Sequence, residues 1–125
     1  MSAHIYAGLR FEGVHHFPEA RPPAAFLNQP HSHNFKVVVS VQVGHDNRDV
    51  EFIELRQWIK HALLQCYPQH DGILQLGARS CEMIGRDIME RLEQRMEMQG
   101  RTWVVEVAED DLQGAIITNG EVIAL

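Results

Sequence analysis

Two stretches of alternating residues near the start of the chain constrain the fold most. In the first, every second residue is apolar and the alternation ends in a histidine: Ile5, Ala7, Leu9, Phe11, Gly13, His15. The second begins with two histidines on the same side as its apolar residues: His31, His33, Phe35, Val37, Val39, Val41, Val43. A period of two is typical of a β-strand with one buried face. The pattern predicts two strands with histidines at the end of one buried face and at the start of the other.

These histidines form a candidate metal site. If the two strands pair as antiparallel neighbours across the Pro-rich segment 17–30, then His15, His31 and His33 converge at one point. Neutral imidazoles suit zinc, and three ligands leave a fourth position for water or substrate, as in catalytic zinc sites. The alternative is that these residues lie at strand ends and are aligned by chance. The third histidine on the matching face favours the metal.

The rest of the chain predicts two helices followed by two strands. Apolar residues recur at helical spacing, and Pro68, a cap at Ser80 and glycines mark the boundaries. The expected elements are a helix from Phe52 to Cys66, a second from Ser80 to Gly100, strands at Trp103–Ala108 and Ala115–Thr118, and a short final strand at Val122–Leu125. The second helix is expected to carry Ile84, Ile88, Leu92 and Met96 on its buried face. This order predicts an α+β fold, ββααββ, with a four-stranded antiparallel sheet and both helices on one face.

Composition narrows the class of protein. With 125 residues, we expect one domain spanning 1–125. The formal net charge of −6 argues against a nucleic-acid partner, because phosphate binding needs a clustered basic surface. The chain has no long apolar run and no cleavable signal pattern, so we expect a cytoplasmic protein without a membrane partner. The two cysteines, Cys66 and Cys81, are expected to be reduced, and sulfur ligation of the metal is not indicated.

Glu109 is a second candidate site residue. It continues the inward series of Trp103, Val105 and Val107, which would place a carboxylate on an apolar face. A buried acid needs a partner, and one suitable partner is a ligand with adjacent N–H donors. The alternative is that the strand ends at Ala108 and Glu109 opens an acidic turn. The sequence pattern leaves both interpretations open.

Five short motifs together resemble the 6-pyruvoyltetrahydropterin synthase and 6-carboxytetrahydropterin synthase family over nearly the whole chain. They are FEGVHHFP (11–18), HSHNF (31–35), EFIEL (51–55), SCE (80–82) and VEVAE (105–109). The resemblance implies a tunnelling fold, in which sheets from several subunits form a barrel, two trimers stack as a homo-hexamer, and the active sites lie between subunits. It implies that His15, His31 and His33 hold Zn²⁺, that Glu109 anchors a pterin ring, and that Ser80 contacts the substrate.

The implied substrate is 7,8-dihydroneopterin triphosphate, whose side chain is isomerised and then either loses triphosphate or is cleaved. This chain departs from the family at the expected proton relay. The catalytic cysteine position, four residues before the H-x-H pair, is Leu27, and the expected Asp-His pair is replaced by Gln69 and His70 followed by Asp71. The relay is therefore rebuilt from Glu19, from His70 and Asp71, or from one of the cysteines, or the chemistry is different, or the protein binds zinc and pterin without catalysis.

Overall fold

Two long antiparallel strands form the centre of the protein. In the computed structural model, which describes residues 2–120, β1 (Ala3–His15) pairs with β2 (His31–Val43) along its whole length. His15 lies opposite His31, and Gly13 lies opposite His33. The connecting segment contains a short 3-10 helix at Ala25–Asn28. The predicted pairing is confirmed. The final strand expected at Val122–Leu125 lies outside the described residues.

Two helices follow, and the second is shorter than predicted. Helix α1 spans Phe52–Cys66, as expected. Helix α2 spans Cys81–Leu92 and begins where the Ser80 side chain accepts the Met83 N–H. The expected continuation to Gly100 is wrong, because the turn after Leu92 tightens into i→i−3 hydrogen bonds. The chain then forms a 3-10 helix at Met96–Met98, which buries Met98 and leaves Met96, expected on the buried face, 84% exposed.

The sheet has six strands, so the expectation of four is wrong. The four predicted strands are present, with β5 at Trp103–Glu109 and β6 at Gln113–Thr118. The additional strands β3 (Gln69–His70) and β4 (Ile73–Gly77) form a hairpin after α1. The sheet order is β3-β4-β1-β2-β5-β6. Strand β4 runs parallel to β1 and contacts only its last residues, so the sheet is antiparallel except at this pair.

Both helices cover the apolar face of the sheet. Phe35, Val37 and Val39 of β2 are fully buried there, beside Val105 and Val107 of β5. The register places Glu109 opposite Phe35, at the same end of this face as the three histidines. The fold thus brings all four side chains together. Within residues 2–120, no helix is both long and apolar enough to cross a bilayer.

Candidate metal and ligand site

The three predicted histidines converge. Their ring centroids lie 4.7 Å apart for His15 and His31, 5.5 Å for His15 and His33, and 5.0 Å for His31 and His33. One ring nitrogen from each residue lies within 4.8 Å of the other two. These positions can hold a metal ion, and they follow directly from the register of β1 and β2.

Hydrogen bonds orient the three rings. Each Nδ1 lies near an acceptor: the Arg79 carbonyl for His15 and the Gln29 carbonyl for His31, both at 2.9 Å, and the Asp110 carboxylate for His33, at 2.6 Å. A carbonyl only accepts, so in His15 and His31 the proton is on Nδ1. The His33 hydrogen bond also lowers the pKa of Asp110, which keeps that group an acceptor. Nε2 is therefore the free ligand atom of every ring, the arrangement typical of metal-binding histidines.

His15 is the buried member of the cluster, only 8% exposed, and its Nε2 has no hydrogen-bond partner. Burial lowers the pKa of His15 below its ordinary value, which favours the neutral ring. Its Nε2 nevertheless lies 3.2 Å from Glu109 Oε1, and His33 Nε2 lies 3.5 Å from Glu109 Oε2. With the proton on Nδ1, each contact brings a nitrogen lone pair against a carboxylate oxygen. A bound cation would compensate this arrangement, so the donor set fits a metal.

The Glu109 carboxylate is also contacted by a thiol. Strand β5 continues to Glu109, and the Cys81 Sγ at the start of α2 lies 3.6 Å from Oε1. Burial and the neighbouring carboxylate raise the pKa of Cys81 to about 12, so the thiol is protonated and donates. Both cysteines are free thiols, as expected. Glu109 is thus a largely buried carboxylate at the inner end of the site.

An aromatic ring forms the floor beneath the histidines. Phe35 is fully buried, and its ring meets those of His15 and His33 edge-on, at centroid distances of 5.3 and 5.8 Å. Its other face stacks on Phe11 at 5.3 Å. This packing limits rotation of the imidazoles and keeps the inner side of the site apolar.

The remaining predicted site residues lie in three different parts of the fold. His70 and Asp71 are at the β3–β4 turn with side chains 81% and 88% exposed, and the strand spacing places His70 on the order of 14 Å from His15. Glu19 is exposed in the segment between β1 and β2. Leu27 lies in the same segment, where its carbonyl accepts the Phe17 N–H. Ser80 caps α2 and precedes Cys81.

Two residues at the site were not predicted from the sequence. Arg79 contributes through its main-chain carbonyl, which no side-chain pattern reveals. Asp110 was considered only as part of an acidic turn, yet it orients His33 and also accepts the Asn34 N–H at 3.0 Å. The available signal was an Asp-Asp pair after a strand, which favours a left-handed turn, and both residues have positive φ.

Solved structures of other proteins share this fold. The solved 6-pyruvoyl tetrahydropterin synthase of Plasmodium falciparum is 18% identical, with a TM-score of 0.67 over 94% of this chain and 98% of its own. An uncharacterised protein of Wolinella succinogenes is 13% identical, with a TM-score of 0.69 over 96% and 99%. A Plasmodium vivax 6-pyruvoyltetrahydropterin synthase, in which a catalytic glutamate is replaced by cysteine, is 15% identical, with a TM-score of 0.68 over 97% and 99%.

At these identities the solved structures establish the fold alone, and no curated protein matches the chain significantly. The sequence itself is more informative. The family model described as 6-pyruvoyl tetrahydropterin synthase matches residues 4–120, which include the histidines and Glu109. The chain belongs to the 6-pyruvoyl tetrahydropterin synthase family.

Proposed function

We propose that this protein is a zinc-dependent enzyme that acts on the side chain of 7,8-dihydroneopterin triphosphate or a related dihydropterin. The product would be of the 6-pyruvoyl- or 6-carboxy-tetrahydropterin type. The observation that carries the proposal is the set of three Nε2 atoms, two of them facing the carboxylate of Glu109. It combines a neutral three-nitrogen metal site with a buried acceptor for a ring bearing adjacent N–H groups.

Each residue has a defined task in this proposal. His15, His31 and His33 hold Zn²⁺, which supplies Lewis-acid polarisation of the side-chain oxygens of the substrate. Glu109 accepts two adjacent N–H donors of the pterin through its two oxygens. The Cys81 thiol donates to Glu109 and so helps fix the direction of the carboxylate. Ser80, next to Cys81 in the chain, is a further polar contact for the substrate.

The proton relay is the part of the mechanism that this chain must build differently. Leu27 cannot remove a proton, and the raised pKa of Cys81 makes it a donor rather than a base. The vivax enzyme has a catalytic glutamate. Independently of that enzyme, a positioned carboxylate can serve as a general base. We therefore propose Glu19 as the base. His70 and Asp71, 3.5 Å apart, form a second candidate pair that a neighbouring subunit would supply.

A homo-hexamer built from two trimers would bring such residues together. Strand β1 pairs with β4 only from Gly13 onward, so the stretch Ala3–Glu12 has one side free within the described residues. Strand β6 lies at the other edge of the sheet. Free edges of this length are normally covered, and pairing with other subunits is one way to do so.

The proposal is tested by incubating the zinc-loaded protein with 7,8-dihydroneopterin triphosphate and identifying the products by mass spectrometry. A new pterin that has lost triphosphate or part of its side chain is the expected result. His31→Ala is expected to abolish turnover, whereas His61→Ala, which removes an exposed histidine on α1, serves as the matched control. Glu19→Gln and His70→Ala identify the base. Intact substrate with the wild-type protein would refute the enzymatic proposal.

A zinc protein that binds pterin without converting it is the second candidate. It is favoured by Leu27 at the position of the catalytic thiol and by the distance of His70 and Asp71 from the histidines. In that case equilibrium dialysis would detect bound, unchanged pterin, and Glu109→Ala would release it. Unchanged affinity in Glu109→Ala would reject this role for the carboxylate.

A further inference from the structure

Asp87 links both helices to the loop that precedes α2. Its Oδ2 accepts the Tyr67 hydroxyl at 2.5 Å and the Arg79 Nε at 2.9 Å, while its Oδ1 accepts the Arg79 Nη2 at 2.5 Å. Tyr67 follows the last residue of α1, and Asp87 lies in the middle of α2. The carboxylate therefore ties the end of one helix and the side chain of Arg79 to a rigid position on the other helix.

The main chain of Arg79 belongs to the metal site. Its carbonyl accepts the His15 Nδ1–H at 2.9 Å, and this is the hydrogen bond that leaves His15 Nε2 free for an ion. Arg79 lies in the short segment between β4 and α2, where its own N–H makes a long bond of 3.3 Å to the Leu76 carbonyl. The two-bond contact between its guanidinium and Asp87 is the stronger restraint on this segment.

We propose that Asp87 is a positioning residue of the metal centre, acting on His15 through the fixed carbonyl of Arg79. The inference rests on the proposed function, because it assigns a task only if His15 binds a metal. Asp87 touches neither metal nor substrate in this scheme. By holding the Arg79 carbonyl, it sets the tautomer and the plane of the His15 ring.

Tyr67 and Arg79 both remain hydrogen-bond donors to Asp87 at physiological pH. Tyr67 is 6% exposed, and burial together with Asp87 raises the pKa of its hydroxyl, which remains a donor at all physiological pH values. The contact with Asp87 also raises the pKa of Arg79. The main-chain carbonyl of Asp87 makes a further polar contact, with the Cys66 Sγ at 3.7 Å. The chain therefore carries a complete network that leads from α1 to a metal ligand.

The chain offers a matched control for this network. Asp49 and Arg101 form a similar two-bond ion pair, at 2.7 and 3.3 Å, with side-chain exposures of 20% and 22%. Asp49 lies beyond the far end of β2, about 40 Å along the strand from His31. Asp49→Asn weakens an ion pair of the same type without touching the metal site.

The experiment compares Co²⁺ binding by the wild type, Asp87→Asn and Asp49→Asn, using competition with a coloured chelator and the visible spectrum of bound Co²⁺. Loss of a direct partner of a metal-ligating histidine typically costs about 10- to 100-fold in affinity. Asp87 acts on His15 only through Arg79, so we expect Asp87→Asn to weaken binding by at most about tenfold and to alter the spectrum. Asp49→Asn should bind as the wild type does. Arg79→Ala keeps the main-chain carbonyl but removes the guanidinium contact with Asp87, so it should give a similar loss and serves if Asp87→Asn does not fold.

The outcomes separate the two proposals. Wild-type affinity and spectrum in Asp87→Asn or, if that variant is unfolded, in Arg79→Ala would overturn the positioning role and leave the proposed function standing. Equal losses in Asp87→Asn and Asp49→Asn would also overturn it, because they would reflect general destabilisation. A wild-type protein that binds no metal would refute the proposed function itself.

Discussion

The contact between Asp110 and His33 gives the sharpest test of the metal site. Asp110 accepts two hydrogen bonds with different oxygens, from His33 Nδ1 at 2.6 Å and from the Asn34 N–H at 3.0 Å. Asparagine has one carbonyl oxygen, so Asp110→Asn must lose one of the two whichever way its amide turns. Asn also tolerates the positive φ of 52° at this position, so the backbone is not newly strained.

The expected loss is in metal affinity rather than in folding. Removal of such an outer partner typically lowers affinity by about 10- to 100-fold. Because the Asp110 side chain is 43% exposed, water can replace part of the interaction, and we expect about tenfold. The assay is Zn²⁺ competition with a chromophoric chelator at neutral pH. The matched control is Asp111→Asn, the next residue of the same turn, which pairs with Arg10 on the opposite side of the sheet. Equal zinc affinity in Asp110→Asn and wild type would show that the Asp110 carboxylate does not contribute to metal binding through His33.

Three further predictions concern packing, charge and thiol reactivity. Phe35→Ala should lower the free energy of unfolding by about 3–5 kcal/mol, because the ring is fully buried. Urea titration measures this change, and a loss under about 1 kcal/mol would contradict the place of Phe35 in the core. Asp49→Asn should destabilise the protein at neutral pH. The contact with Arg101 holds the pKa of Asp49 well below its ordinary value of about 3.9. The ionised Asp49 carboxylate therefore stabilises the folded protein above about pH 4, and this stabilisation is lost as the pH falls below that value. The difference from wild type should therefore narrow below about pH 4, and a constant difference would exclude the charge as its cause. Cys81, with a pKa near 12 beside Glu109, should react with an aromatic disulfide reagent at about pH 8 far more slowly in the native than in the denatured protein. Equal rates would show that the thiol is accessible and ionised.

The central strands and the convergence of the three histidines could be predicted because both depend on a period of two. The alternation puts His15, His31 and His33 on one face, and antiparallel pairing then places them at one end. Glu109 follows the same rule one strand further on. The geometry confirms the predicted convergence of the three histidines. It also places Glu109 beside them, a residue for which the sequence pattern left two interpretations open.

The missed features depend on tertiary contacts. Strand β4 has only five residues, and its pairing with the end of β1 is what makes it a strand rather than a loop. Helix α2 ends at Leu92, and the turn that follows buries Met98. Helical spacing had assigned the buried position to Met96, which is exposed. The hydrogen bond from His15 to Arg79 uses a main-chain carbonyl, so no pattern of side chains predicts it. Propensity and spacing cannot reveal such contacts before the fold is known.

The exact pairing of β1 with β2 gives the histidines an effect on folding. His15 opposes His31, and His33 lies two residues further along the same face. A slip of one residue would turn every side chain of one strand to the other face and separate His15 from the other two. An ion that needs all three rings would bind the correctly aligned hairpin and none of its shifted forms, and would stabilise it by mass action. With an ion bound, the three histidines would thus favour the correct register of β1 and β2 during folding.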